Sequence, residues 1–422
     1  MFIVRSGLVV CISLISVIGA AGELPVAKPE TVGMSSARLA KVDDVMNGLV
    51  REKKLAGGIV MIARHGKVVH LKSHGMMDLE AGRPMRDDAV LRIYSMTKSI
   101  TTAAALILVD EGKLSLDAPV SKYLPEMKNC TVAGRDSPVT TTREMTVRDL
   151  MLHTAGFNYG SSGIDASDKK YRELNVMDFS SSLAQMSEKL SQVPLVFVPG
   201  SDWHYGVSID VLGRVVEVVS GQSLDQFLQA RIFAPLDMKD TGFFVRADQV
   251  DRFAANYNSD GKGKLTLKEA AQGSEYLKPR KLLSGGGGLV STARDYMRFL
   301  VMISQGGALE GVRILKEPTV KLMTTNQLSE QVGWIKFGPQ VREGVGFGLG
   351  FSVRDKMSSW DPQGHVGEYG WGGAASTHYW ASPADGLIVI TMEQTMPFTF
   401  LTEFAVKGLI YDAIDEGRKS SP

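Results

Sequence analysis

Cysteine is almost absent from this chain: among its 422 residues, Cys11 and Cys130 are the two thiols. Cys11 falls in an N-terminal segment that reads as cleaved, which leaves no pair for an intramolecular disulfide, so core burial has to supply the stability. An excess of one charge is missing too. Lys and Arg total 47 against 46 Asp and Glu, so no global field favours nucleic acid or an anionic membrane, and a small neutral or zwitterionic ligand suits the balance better. Beyond the N-terminus no apolar run is long enough to span a bilayer. Neither a repeat nor a Pro/Ser-rich linker divides the chain, so residues 23–422 are expected to form one domain.

Several patterns of catalysis are also missing. There is no G-x-S-x-G elbow, which argues against the strand-turn-helix serine of the α/β-hydrolases and against a conventional Ser-His-Asp triad. His70 and His74 stand four apart without the H-E-x-x-H pattern, so zinc is not expected there. Gly285 to Gly288 lack the spacing and the Lys-Ser/Thr of a phosphate-binding loop and read as a flexible turn. His153 reads as capping or packing its helix, and the methionines as core filling. No metal and no cofactor is expected.

What is present begins with a targeting signal. Arg5 supplies positive charge, residues 8–18 are nearly all apolar, and Gly19-Ala20-Ala21-Gly22 offers small residues for cleavage. Residues 1–22 are therefore expected to be a signal peptide. The mature chain would start at Glu23, exported to the periplasm or the medium without stable membrane insertion. An uncleaved anchor is the alternative, although the run is short of the roughly 20 residues a spanning helix needs.

Ser35 or Ser36 can cap a helix through Arg51, whose Leu39, Val42, Val45, Met46 and Leu49 recur at helical spacing. Residues 58–64 and 67–73 flank His65-Gly66 as a hairpin, residues 378–381 and 387–392 flank 382–386 as another, and 399–415 reads as a terminal helix. Between these ends the pattern is mainly helical, at 96–111, 146–153, 209–220, 223–230 and 292–304, and the polar stretch 258–268 reads as a flexible excursion. The expectation is an α/β protein of the α+β type. An antiparallel sheet is built from both chain ends, about residues 30–90 and 285–415, with flanking helices and an inserted, mainly helical region at about 91–284. The ligand site then lies at their junction.

The sharpest signal is Tyr94-Ser95-Met96-Thr97-Lys98, an S-x-x-K pattern that opens the expected 96–111 helix. Residues three apart share a helical face, so Lys98 can reach Ser95, and the free N–H groups of the helix start favour negative charge developing there. A neutral serine is a weak nucleophile that needs such a base, or a group tuned by one. The bland alternative is a solvent-facing lysine after a capping serine.

The string around this pattern, R-I-Y-S-M-T-K-S-I-T-T-A-A-A-L-I-L-V-D-E-G-K-L-S-L-D-A-P-V-S-K-Y-L, resembles the serine β-lactamase and penicillin-binding-protein superfamily. So do V-R-D-L-M-L-H-T-A-G at 147–156, Pro199-Gly200-Ser201-Asp202-Trp203-His204-Tyr205, G-G-G-L-V-S-T-A-R-D at 286–295 and Gly370-Trp371-Gly372-Gly373-Ala374, in order over residues 29–415. The likeness is greatest to the class C β-lactamase-like (family VIII) carboxylesterases. Trp371 stands where lactamases usually carry the cation of Lys-Thr-Gly, and Val207 where Tyr-x-Asn carries an amide.

The resemblance implies a serine β-lactamase-like fold in which Ser95 attacks a carbonyl while Lys98 and Tyr205 manage the proton. It further implies that the backbone N–H groups of Ser95 and Ala374 hold the oxyanion, with Trp371, Gly372, Gly373 and Val207 facing a small-molecule ester. β-Lactam or D-amino-acid peptide hydrolysis is the alternative on the same scaffold. A noncatalytic binding protein is the alternative of another class.

Overall fold

Ser35 opens the first helix: its hydroxyl accepts the Arg38 backbone N–H, and α1 (Ser36–Arg51) turns Leu39, Val42, Met46 and Leu49 inward. Next, β1 (Gly57–Arg64) and β2 (Lys67–Asp78) are joined through His65 and Gly66, whose φ values of 50° and 73° form the tight turn of a hairpin. The structure is a computed structural model that describes residues 22–134 and 137–414. Cys11 and residues 1–21 of the expected leader lie outside the described residues.

After β3 (Arg83–Pro84) the sheet is continued by the C-terminal part of the chain, through β4 (Val345–Phe347), β5 (Ser352–Arg354), β6 (Tyr369–Gly373), β7 (Thr377–Ser382) and β8 (Leu387–Glu393). These eight strands are antiparallel in the order β4-β5-β6-β7-β8-β1-β2-β3. The two chain ends therefore meet at β1 and β8, where Met61 pairs with Ile390. Strands β4 to β6 left no mark in the sequence pattern. They run three to five residues and include glycines, too little for alternation to register.

The inserted region holds α2 (Thr97–Asp110), α3 (Val147–Leu152), α4 (Asp165–Glu173), α5 (Leu183–Leu190), α6 (Ser208–Ser220) and α7 (Leu224–Leu228). Then come α8 (Ala293–Ser304), α9 (Glu317–Thr324) and the terminal α10 (Leu401–Asp412). The sequence pattern did not mark α4, α5 or α9. Helix α5 starts on a capping box in which Ser182 and Gln185 satisfy each other's backbone N–H groups, a signal that apolar periodicity passes over.

All of β1 is buried, and it sorts its side chains between two cores. Val60 and Ile62 meet Val42 and Met46 of α1 and Ile410 of α10. Ile59 and Met61 belong to the larger core, with Ile100 of α2 and Phe299 of α8. Burial on both faces explains the nearly continuous apolar run in this strand. The expectation for 258–268 is overturned: Asn256–Ser259 pairs with Leu265–Glu269, and Thr395–Met396 extends the ribbon. Asp260 tightens the connecting turn by accepting from the Lys262 and Lys264 N–H groups, and Tyr257 anchors the ribbon by burial. Among the described residues no helix is long and apolar enough to cross a membrane.

Candidate active site

The approach to Ser95 is rigid. Arg92 is wholly buried, donates to the Ala254 carbonyl at 2.8 Å and lies 4.2 Å above the Phe253 ring. Two residues later Tyr94 adopts φ 41°, a left-handed conformation that costs a bulky residue energy and persists where surrounding contacts hold it. Its hydroxyl accepts from Asn256 Nδ2 at 3.3 Å. Ser95 then sits in a single 3-10 turn, Tyr94–Met96, that runs directly into α2. It is partly buried and stands at the entry of a helix, where the first backbone N–H groups have no partner within the helix.

Lys98 is 1% exposed and its Nζ has three partners: Ser95 Oγ at 3.2 Å, the Tyr159 hydroxyl at 3.0 Å and the Gly286 carbonyl at 2.6 Å. An ammonium donates to all three. A neutral amine keeps a lone pair for one hydroxyl proton, so the same arrangement serves both states of the lysine. Tyr205 joins the group through its ring, whose centroid is 4.6 Å from Lys98 Nζ, and its hydroxyl accepts from Trp371 Nε1 at 3.4 Å. The structure thus brings Ser95, Lys98 and Tyr205 together, but the hydroxyl that Lys98 touches belongs to Tyr159.

Tyr159 escaped the sequence reading, although it follows the H-T-A-G turn by three residues. Gly206 is what lets it come close to Tyr205: a Cβ there would lie 2.4 Å from the Phe157 carbonyl oxygen. Burial, then the neighbouring Tyr205, pushes the Tyr159 phenol well above its ordinary range, so it stays neutral. His153 ends α3 at φ 59°, is fully buried and packs its ring 4.9 Å from that of Tyr205. Burial, and after it the charge of Lys98, keeps this imidazole well below its ordinary pKa and therefore neutral.

The glycine-rich 285–288 segment is a turn, as expected, but a fixed one. Asp210, on the first turn of α6, accepts from the Gly286 N–H at 3.1 Å and from the Ser284 hydroxyl, while Thr101 Oγ1 donates to the Gly285 carbonyl at 2.8 Å. Asp210 is fully buried, and burial pushes its carboxyl upward. Together these contacts aim the Gly286 carbonyl at Lys98.

The opposite wall is β6 with Ala374 just after it. Close approach is required here, since a Cβ on Gly373 would come within 2.4 Å of the Ile93 carbonyl oxygen. Ser95, Tyr205, Trp371, Gly372, Gly373 and Ala374 line one cavity of about 1030 Å³. Val207 does not. It is fully buried in the larger core at the entry to α6, which corrects the expectation that it faces substrate. His70 and His74 turn toward Asp43 of α1, and among the described residues no group of three His, Cys, Asp or Glu side chains is arranged to hold a metal ion.

Known proteins resemble this chain in sequence and in fold. Residues 42–405 match the profile of the Beta-lactamase family. Protein Rv1367c of Mycobacterium tuberculosis is 36% identical over 354 residues, covering 81% of this chain and 86% of that one. Esterase EstB of Burkholderia gladioli is 31% identical over 389 residues, covering 87% and 93%. Among solved structures, EstCE1, described as a hydrolase with promiscuous acyltransferase activity, superposes with a TM-score of 0.75 at 28% identity, covering 89% of this chain and 99% of that one. With its fold, its family profile and its esterase relatives in agreement, the chain belongs to the Beta-lactamase family, within the serine β-lactamase-like hydrolases.

Proposed function

We propose that this chain is a carboxylesterase that cleaves small esters through an acyl-enzyme at Ser95. The observation that carries the reading is the 3.2 Å approach of Lys98 Nζ to Ser95 Oγ at the floor of an aromatic-lined cavity. Ser95 Oγ attacks the ester carbonyl and its proton passes to the Lys98/Tyr205 pair, with Tyr159 holding the lysine. The backbone N–H groups of Ser95 and Ala374 receive the tetrahedral oxyanion. Collapse breaks the ester C–O bond, and the leaving alkoxide takes the proton from the pair. Water then repeats the sequence on the acyl-serine and releases the carboxylic acid. An alcohol arriving in place of water gives acyl transfer, which fits the description of EstCE1.

A serine-directed phosphonate tests the reading. Intact-mass analysis is expected to show one adduct, mapped to the Ser95 peptide and absent from Ser95→Ala. Full labelling of Ser95→Ala, or an adduct on another serine, removes Ser95 from the role.

A further inference from the structure

One wall of the cavity is the hairpin of Lys336–Phe337 with Gln340–Val341, and Arg342 follows it directly. The Arg342 guanidinium sits in an aromatic box, 4.3 Å from the ring centre of Phe337, 4.5 Å from Trp360 and 4.9 Å from Phe400. The other two Lys or Arg side chains that line the cavity are paired. Arg354 meets Asp361 and Glu368, and Lys407 meets Asp361 at 2.7 Å, Glu368 at 3.0 Å and Glu403 at 3.4 Å. Arg342 makes no ion pair and no side-chain hydrogen bond with any described residue.

Ring faces attract a cation but accept few of its N–H bonds, so Arg342, which lines the cavity, keeps a planar donor fork with no acceptor among the described residues. Burial pushes its ionisation down to about 10, against the pull of Glu403, and it remains a cation at neutral pH. Phe337 packs on this cation and also on the aromatic groups of the site, its ring 5.8 Å from that of Tyr205 and 6.3 Å from that of Trp371.

We propose that Arg342 is an anion subsite, and that the substrate is an ester bearing a free carboxylate, held apart from the scissile carbonyl by an apolar segment lying on Phe337 and Trp371. A guanidinium and a carboxylate match two N–H bonds to two oxygens, which meets the unpaired fork of Arg342. The apolar spacer follows from the rings between the two ends. This inference rests on the esterase reading and specifies its substrate.

The test uses 4-nitrophenyl adipate monoester, its ω-methyl ester, and a 4-nitrophenyl ester of similar length ending in an ammonium group. Wild type is expected to favour the acid over its methyl ester by about 10-fold or more in kcat/KM, the size of a charge-assisted hydrogen bond. Arg342→Gln should collapse that ratio toward one, and Arg342→Glu should shift preference to the ammonium ester, which a merely structural role for Arg342 does not explain. A wild-type ratio near one, or a ratio that Arg342→Gln leaves intact, overturns the proposal. Adipate titrated calorimetrically separates this from the esterase reading: binding that is lost in Arg342→Gln supports the subsite even in a protein that hydrolyses no ester, and absence of binding to wild type counts against it.

Discussion

Lys98 Nζ and Ser95 Oγ stand 3.2 Å apart across the turn that leads into α2, with the lysine almost completely buried. Removing the amine leaves Ser95 without its nearest proton acceptor. Lys98→Ala is therefore expected to lower kcat by about 100-fold or more, the usual contribution of positioned acid-base groups. Steady-state rates on a butyryl ester, alongside a thermal melt to show that the variant folds, check this. A folded Lys98→Ala with near-normal turnover removes the lysine from proton transfer.

Two phenols flank the same amine, and their substitutions are expected to separate them. Tyr205→Phe keeps the ring packing with His153 and Trp371 but loses the hydroxyl assigned to proton transfer, so kcat should fall by about 100-fold. Tyr159→Phe loses one hydrogen bond to Lys98 and should cost about 10-fold. The reverse order of damage in parallel kinetics would assign the reactive phenol to Tyr159.

The parts of this site that were legible in the sequence are the local ones. Ser95 and Lys98 share one helical turn, and Ser35 and the His65-Gly66 pair act on their immediate neighbours. What stayed hidden depends on segments that meet only in the fold. Tyr159 reaches Lys98 across 61 positions and Gly286 across 188, and no period or motif encodes such a meeting. Val207 failed for a related reason: its place after Tyr205 matches the family pattern, yet the chain turns into α6 there and points it at the core. Arg342 carries no motif at all, and its character comes from three rings contributed by separate parts of the chain.

Asp210 acts on Lys98 through the 284–286 turn, as a positioning residue. Asp210→Ala leaves the Gly286 N–H and the Ser284 hydroxyl unmet, which should destabilise the fold by about 1–3 kcal/mol. It should also lower kcat more than it raises KM, because the carbonyl that orients the lysine drifts. Denaturant unfolding and the kcat-against-KM split measure the two effects, and unchanged kcat in a folded variant would show that Lys98 keeps its place without this support.

Acid stability is expected to depend on Glu403. Burial by itself raises this carboxyl, but the charge of Lys407 and the hydrogen bond from His378 outweigh it and hold the group down at about 2, against 4.5 when free. A depressed folded-state pKa stabilises the protein above the unfolded value, and this contribution fades as pH falls through that value toward about 2. The amount is on the order of 3 kcal/mol. Glu403→Gln should be less stable at neutral pH and should lose less of its melting temperature between about pH 5 and pH 2. Parallel slopes for the two proteins would show that other carboxylates govern acid unfolding.

Selectivity between esters and β-lactams follows from what surrounds the reacting carbonyl. The indole of Trp371 lines the same cavity as Ser95, its N–H given to the Tyr205 hydroxyl and its ring packed with Phe337 and Phe347. A bicyclic lactam carries its carboxylate close to the scissile bond, so that charge would meet the indole. Arg342 is not expected to serve it, because its guanidinium stacks on Phe337, which in turn packs on Tyr205. Val207, buried in the core, offers no amide for the lactam side chain. Each polar group left unmet costs about 1–3 kcal/mol, or roughly 5- to 150-fold. An ester with its carboxylate at a distance, or with none, escapes that cost while using the same Ser95 chemistry. Under identical conditions kcat/KM for a butyryl ester is therefore expected to exceed that for a cephalosporin ring by at least about 10-fold. Equal or better turnover of the lactam would mean that another group in the cavity holds its carboxylate, and the ester preference would have to be given up.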